Sequence, residues 1–267
     1  MLSALRKLKR PKAPEPVHAI PAGQRVYAVG DIHGRLDLFD ALLEAIDADD
    51  AARADAEVTL ILLGDLIDRG PDSAGVIARA RQLCQTGHVR ILMGNHEEMF
   101  LDSFEDVEVL RHFLRYGGQE TLLSYPVDRK AYRAATRSEV LEMMKHAVPE
   151  EDREFIAGFE DMVRIGDYAF VHAGVRPAIP FEEQRAHELR WIREPFLSHR
   201  DAHDAMVVHG HTISDEVEHR PNRIGIDTGA YTTGRLTALG LEGTSRWLIE
   251  ARESEAGAPE ISHRSLL

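Results

Sequence analysis

The first hundred residues of this chain repeat one unit: a short apolar run, a Gly-flanked polar motif, then a stretch of helical spacing. Residues 25–29 read as a strand that ends just before Asp31, 58–63 as a continuous apolar strand, and 88–93 as a third. Apolar runs without alternation suit strands covered on both faces. Between them, 36–46 and 73–83 carry Leu, Ile, Val and Ala at helical spacing, and Pro71 suits the first turn of the second helix. A β-α-β-α-β series predicts a parallel sheet, and open α/β sheets place their sites at the carboxyl ends of the strands.

The motifs sit at those ends. Gly30-Asp31-Ile32-His33-Gly34, Gly64-Asp65-Leu66-Ile67-Asp68-Arg69-Gly70 and Gly94-Asn95-His96-Glu97 follow the three strands in turn. His172-Ala173-Gly174 and Gly210-His211-Thr212 come later in the chain. Asp31 and His33, two apart in a loop leaving a strand, can grip one cation. Asp65 can bridge two ions about 3.5–4 Å apart. Asn95, His172 and His211 can complete the shell of the second. Oxygen and imidazole donors without thiolate suit Mn²⁺, Fe or Zn²⁺. Asp68 and His96 add an acid–base pair, in which a carboxylate fixes the tautomer of an imidazole able to protonate a leaving oxygen. Arg69 offers a planar fork that matches phosphate oxygens. Together these are the parts of a two-metal hydrolysis of a phosphate ester.

Residues 99–159 turn helical and charged, and read as an insertion lying over or beside the site. The remainder is strand-rich, at 162–165, 168–171, 205–208, 223–226, 235–241 and 246–249, with Gly166-Asp167 as a hairpin turn. The expectation is one domain over 25–252, made of two packed sheets flanked by helices. A basic, Pro-rich tail over 1–24 and a frayed tail over 253–267 would flank it. The basic segment 1–10 lacks the apolar region of a secretory signal; it reads as part of a disordered tail, with a peripheral membrane contact the alternative. A net charge of −13 argues against nucleic acid as a partner. No run approaches the roughly 18 apolar residues of a membrane span. The single cysteine, Cys84, can form no intrachain disulfide, which fits a cytoplasmic location.

As a set, the five motifs resemble the metallophosphoesterase superfamily, and within it the phosphoprotein phosphatase family, whose pattern is GDxHG, GDxxDRG, GNHE, HAG or HGG, and GH. All five match in order over roughly residues 25–230. The resemblance implies a calcineurin-like four-layer αββα sandwich of two mixed sheets with a helical insertion. It also implies a dinuclear centre, most simply Mn²⁺. One metal would take Asp31, His33 and Asp65, and the other Asp65, Asn95, His172 and His211. His96, oriented by Asp68, would be the general acid for in-line attack by a hydroxide held between the metals. Arg69 and Asn95 would bind phosphate with a second arginine from Arg190-Trp191-Ile192-Arg193-Glu194-Pro195. Arg193 is preferred there and Arg190 is the alternative.

Gly210-His211-Thr212-Ile213 lacks the second histidine of the GHxH ending common in nuclease-type relatives, and His209 lies outside the family's ligand set. The retained Asp68 and the segment Arg115-Tyr116-Gly117-Gly118-Gln119-Glu120-Thr121-Leu122-Leu123-Ser124-Tyr125 resemble bacterial serine/threonine phosphoprotein phosphatases. The alternative is a symmetrical diadenosine tetraphosphate hydrolase, which would cut a phosphoanhydride to ADP. Phosphoproteins, small phosphoesters or dinucleoside polyphosphates are thus the expected substrates. A non-catalytic metal-binding interaction domain would have lost a ligand or His96, and none is lost.

Overall fold

In the computed structural model, which describes residues 17–266, strands β1 (Gln24–Val29), β2 (Glu57–Leu62) and β3 (Val89–Ile91) pair in parallel. A second sheet holds β4 (Met162–Ile165), β5 (Tyr168–Val171), β6 (Met206–His209), β7 (Glu218–His219) and β8 (Arg223–Gly225), in the order β4-β5-β6-β8-β7. Here β5, β6 and β8 are parallel, while β4 and β7 are antiparallel edges. The last strands, β9 (Arg235–Glu242), β10 (Ser245–Arg252) and β11 (Glu260–Ser265), return to the first sheet and extend it antiparallel in the order β11-β10-β9-β1-β2-β3.

The period of two along each strand decides the layers. Val26, Ala28, Ile61, Leu239 and Leu241 face Tyr168, Phe170, Met206, Val208 and Ile224, forming the core between the sheets. Their neighbours Tyr27, Val29, Leu62 and Ala238 point the other way, onto helices α1 (Leu36–Ala51) and α2 (Ser73–Thr86). On the outer face of the second sheet, Ala169, Val171 and Val207 pack against Phe181, Phe196 and helix α9 (Ala186–Trp191), preceding the short α10 (Ala230–Thr233). The result is the four-layer order expected. Strands covered on both faces explain why 58–63 carries no polar alternation.

Between β3 and β4 the chain is helical: α3 (Asn95–Asp102), α4 (Val107–Phe113), α5 (Gln119–Ser124), α6 (Arg129–Ala134), α7 (Arg137–Ala147) and α8 (Glu150–Ala157). These helices bury Phe100, Phe113, Leu122, Met144 and Ile156 in the core that holds α1 and α2. The segment is thus packed into the domain.

Three expectations need correction. The C-terminal stretch 253–267 does not fray throughout, because Glu260–Ser265 is an edge strand on β10 and Leu266 N–H donates to the Arg246 carbonyl at 3.0 Å. An exposed edge strand can be polar on both faces, so it carries no apolar signal. The proposed tail 1–24 is partly core: Ile20 is buried between the sheets and its N–H donates to the Gly243 carbonyl at 2.8 Å. The basic segment 1–10 lies outside the described residues. Pro71 stands before the second helix, since Asp72 is its N-cap, with the carboxylate accepting the Gly75 N–H at 2.8 Å. Among the described residues, no helix is long and apolar enough to cross a membrane.

Truncating Leu239, fully buried between the sheets, should cost about 2–5 kcal/mol through lost burial and the cavity left behind. Urea unfolding of Leu239→Ala is expected to show a lower midpoint at unchanged slope.

Candidate active site

The strands that run parallel in each sheet end on the same side of the molecule, and their exit turns carry the motifs. Those turns are strained. Positive φ angles occur at His33 (47°), Asp65 (50°), Asp68 (72°), Arg69 (69°) and His211 (62°), none of them glycine. Each such residue costs on the order of 1–3 kcal/mol and persists only where its surroundings over-determine it. Here they do. Ile32 and His33 both donate backbone N–H to the Asp65 carbonyl, at 3.1 and 2.9 Å. The buried Glu97 carboxylate accepts N–H from Asp65 (2.9 Å), Leu66 (2.7 Å), Ile67 (3.3 Å) and Gly94 (3.0 Å). Burial and the neighbouring Asp65 push Glu97 up to about 7, against those N–H donors.

Asp65 is the centre. Its Oδ2 lies 3.6 Å from His33 Nε2 and 3.9 Å from His96 Nε2, while its Oδ1 lies 3.4 Å from His172 Nε2. Two groups with donor atoms within 4.8 Å of one another result, His33–Asp65–His96 and Asp65–His172–His211, and Asp65 belongs to both. His33 Nδ1–H donates to the Ile67 carbonyl at 2.8 Å and His172 Nδ1–H to that of Leu63 at 2.7 Å. Both rings therefore aim Nε2 inward. Asn95 Oδ1 stands 3.1 Å from His172 Nε2. Carboxylates, imidazoles and an amide oxygen, with tautomers fixed by backbone carbonyls, fit a pair of borderline divalent cations.

Asp31 stands outside both groups. Its oxygens accept the His211 N–H at 3.2 and 3.0 Å, and it lies against a second buried carboxylate, Asp227. Gly210 permits this approach, because a Cβ there would fall 2.1 Å from Asp31 Oδ1. Burial and Asp227 raise Asp31 well above the usual carboxylate range. Burial acts likewise on Asp65, but His172 and His96 outweigh it and hold Asp65 well below that range. Burial also opposes a charge on His172, yet the adjoining Asp65 sets its imidazole at about 10. His211, by contrast, is depressed to about 3 by burial and the His172 charge.

His96 Nδ1 meets Asp68 Oδ2 at 2.5 Å, so Nε2 faces outward. Burial opposes its charge, but Asp65 and Asp68 hold it above the ordinary imidazole value. Arg69 spreads its fork from His33 Nε2 to His96 Nε2, each 2.8 Å away, beneath the ring of Tyr231 4.7 Å from the guanidinium. Arg190 is tied to Asp161 and Glu98 at 2.8 and 3.1 Å, whereas Arg193 lines the cavity and donates to the His211 carbonyl at 3.4 Å. His209 turns its ring onto Phe196, 5.0 Å away, and its Nδ1–H donates to the Gly210 carbonyl.

Above these groups opens a cavity of about 770 Å³, walled by His112, Tyr116, Trp191 and Tyr231 and by Glu98 and Asp102. Four residues of the site, Glu97, Asp227, Thr121 and Tyr231, received no role from the sequence reading. Glu97 was visible as the N3 acid of a helix start, and Asp227 as an acid just after a strand. Thr121 lay in the segment resembling bacterial phosphatases but with no sign of its partner, and Tyr231 carries no such mark.

The family model for calcineurin-like phosphoesterases matches residues 24–239. The chain is 30% identical over 220 residues to serine/threonine-protein phosphatase 1 of Salmonella typhimurium, covering 80% of this chain and 90% of that one. It is 35% identical over 162 residues to the symmetrical bis(5'-nucleosyl)-tetraphosphatase of an Acidovorax species, covering 61% of this chain and 48% of the relative. The match therefore spans about half of that relative's length. The cold-active protein-tyrosine phosphatase of a Shewanella species shares the fold, with a TM-score of 0.60 at 18% identity over 99% of this chain and 92% of that one.

A cation entering this site must displace protons, from His172 at about 10 and from the raised Asp31. Affinity for Mn²⁺ should therefore rise with pH between about 6 and 9, with net proton release. Calorimetry in two buffers of different ionisation enthalpy measures both, and a pH-independent affinity would place the cations elsewhere.

Proposed function

The chain belongs to the calcineurin-like phosphoesterase family, and we propose that it is a serine/threonine phosphoprotein phosphatase. One observation carries the chemistry: Asp65 is shared by two donor groups, and one of them includes the Asp68-bonded His96. In this reading Asp31, His33 and Asp65 would hold one divalent cation, and Asp65, Asn95, His172 and His211 the other. Mn²⁺ is the favoured ion, with Fe or Zn²⁺ as alternatives. Such a pair supplies Lewis-acid activation of water and offsets phosphate charge.

The remaining work falls to the chain. Arg69, Arg193 and Asn95 hold the phosphate oxygens, the arginines by forked, charge-assisted hydrogen bonds. The walls of the cavity orient the rest of the substrate. Asp68 keeps a proton on His96 Nδ1, so that Nε2 is the atom that delivers a proton to the departing oxygen. Burial opposes a charge on His96, but Asp65 and Asp68 outweigh it and raise the imidazole above its ordinary value, which favours the charged ring.

Two features favour a phosphoprotein. The Asp-Arg-Gly turn retains Asp68, and a serine/threonine phosphatase is matched at 30% identity over 90% of its own length. A second reading, symmetrical cleavage of a dinucleoside tetraphosphate, draws on the 35% identity to such a hydrolase and on the rings of Tyr116 and Trp191, able to stack a nucleobase. A cytoplasmic location suits either.

His96→Asn should lower kcat on a phosphoserine peptide by at least about 10²-fold while Mn²⁺ stoichiometry is kept. Unchanged turnover would remove His96 from proton delivery. Given a phosphoserine/phosphothreonine peptide and diadenosine tetraphosphate at equal concentration, the Mn²⁺-loaded protein should release inorganic phosphate from the peptide preferentially. Preferential ADP formation would assign it to the second reading.

A further inference from the structure

Asp68 is fully buried, and only one of its two oxygens is accounted for by His96. The other, Oδ1, accepts the Thr121 hydroxyl at 2.6 Å. Thr121 belongs to α5, 53 residues further along the chain and inside the helical segment between the two sheets. Its hydroxyl is saturated: it also accepts the Asp68 backbone N–H at 2.8 Å, and Ser73 Oγ lies 2.9 Å away. Thr121 thus bonds both the side chain and the backbone of Asp68, sharing the backbone N–H with Ser73 Oγ at 3.0 Å, at a turn where Asp68 and Arg69 are consecutive left-handed residues.

The same segment also grips the turn at Arg69 and the start of α2 at Ala74. The Gly117 carbonyl accepts the Arg69 N–H at 3.0 Å, and Ser124 Oγ accepts the Ala74 N–H at 3.0 Å. Gly117 has φ +113°, and a Cβ there would fall 2.6 Å from Arg69 Cγ, so close docking needs the glycine.

We propose that Thr121 is a positioning residue for proton delivery, its hydroxyl holding the Asp68 carboxylate so that His96 Nε2 faces the leaving group. The inference rests on the reading of His96 as the proton donor. Without the hydroxyl, Asp68 Oδ1 loses its side-chain donor inside the protein, where an unsatisfied acceptor is costly. The carboxylate is then free to turn, and the imidazole turns with it.

A group acting through the proton donor leaves a mark that a scaffold residue does not: its removal matters in proportion to how much the leaving oxygen needs a proton. Thr121→Val keeps the shape and removes the donor. On the Mn²⁺-loaded protein it should lower kcat on phenyl phosphate by about 10-fold or more, part of the 10²–10⁴-fold span of general acid catalysis. On 2,4-dinitrophenyl phosphate, whose leaving phenolate needs no proton, the loss should stay under about 2-fold. KM and Mn²⁺ stoichiometry should not move, and Thr121→Ser should restore the wild-type pattern. If the valine variant does not fold, Thr121→Ala replaces it. Equal slowing on both substrates, or no slowing on either, overturns the inference. His96→Asn runs in parallel: if it too slows both substrates equally, the reading of His96 falls and the inference falls with it. If His96→Asn discriminates and Thr121→Val does not, only the inference falls.

Discussion

The Glu97 carboxylate, closed inside the protein and ringed by four backbone N–H groups, holds the Gly94–Glu97 turn against the turn that carries Asp65. The site depends on that grip. Asp65 sits at φ 50°, a conformation unfavourable for a residue with a side chain, and only there does its carboxylate lie between two groups of imidazoles. Asp65 Oδ1 in turn accepts the His96 N–H at 3.1 Å in the first turn of α3. Two buried acids therefore exchange backbone donors between adjacent loops, and neither loop can relax alone. Strain of this kind is tolerated where function requires a geometry that propensity would not choose.

Topology supplies the rest. Each sheet contributes a run of parallel strands, β1, β2 and β3 in one and β5, β6 and β8 in the other, so six chain exits gather on one side. The antiparallel strands β9, β10 and β11 lend no ligand and serve to widen and cover the first sheet. A site assembled from strand ends of two packed sheets has its donors set by the core between them, and Leu239, Phe170 and Val208 in that core position loops that they never touch.

Much of this was legible because the parallel strands write themselves as apolar runs ending in glycine and an acid, a signal both local and repeated. Asp31, Asp65 and Asn95 could be placed at one edge from the strand pattern alone, and the structure brings His33, His172 and His211 to them. Legibility ended where contacts are long-range. Nothing local distinguishes Thr121 from any helical threonine, and its meeting with Asp68 is decided by how α5 packs on α2. Nor does spacing separate Arg190 from Arg193; the ion pairs of Arg190 with Asp161 and Glu98 do so. The strand Glu260–Ser265 was missed for a different reason, since an exposed edge is held by backbone pairing and asks little of its side chains.

The helical segment after β3 performs two jobs at adjacent positions, and this constrains how the site can change. Val109, His112 and Tyr116 line the cavity, where a substrate would touch them, while Gly117 and Thr121 are bonded to the turn that bears Asp68 and Arg69 and Ser124 to the start of α2. The first group is free to vary with the shape of the leaving group. Under the proposed role of His96 the second would be bound to the geometry of proton delivery, with Thr121 and Ser124 admitting little beyond the exchange of one hydroxyl for another. Altered selectivity should therefore arise from α4 and the residues just after it without loss of rate, whereas any shift in the docking of α5 would be felt first at Asp68. In that reading the two tasks would meet at the kink of Tyr116 and Gly117, where the helix breaks.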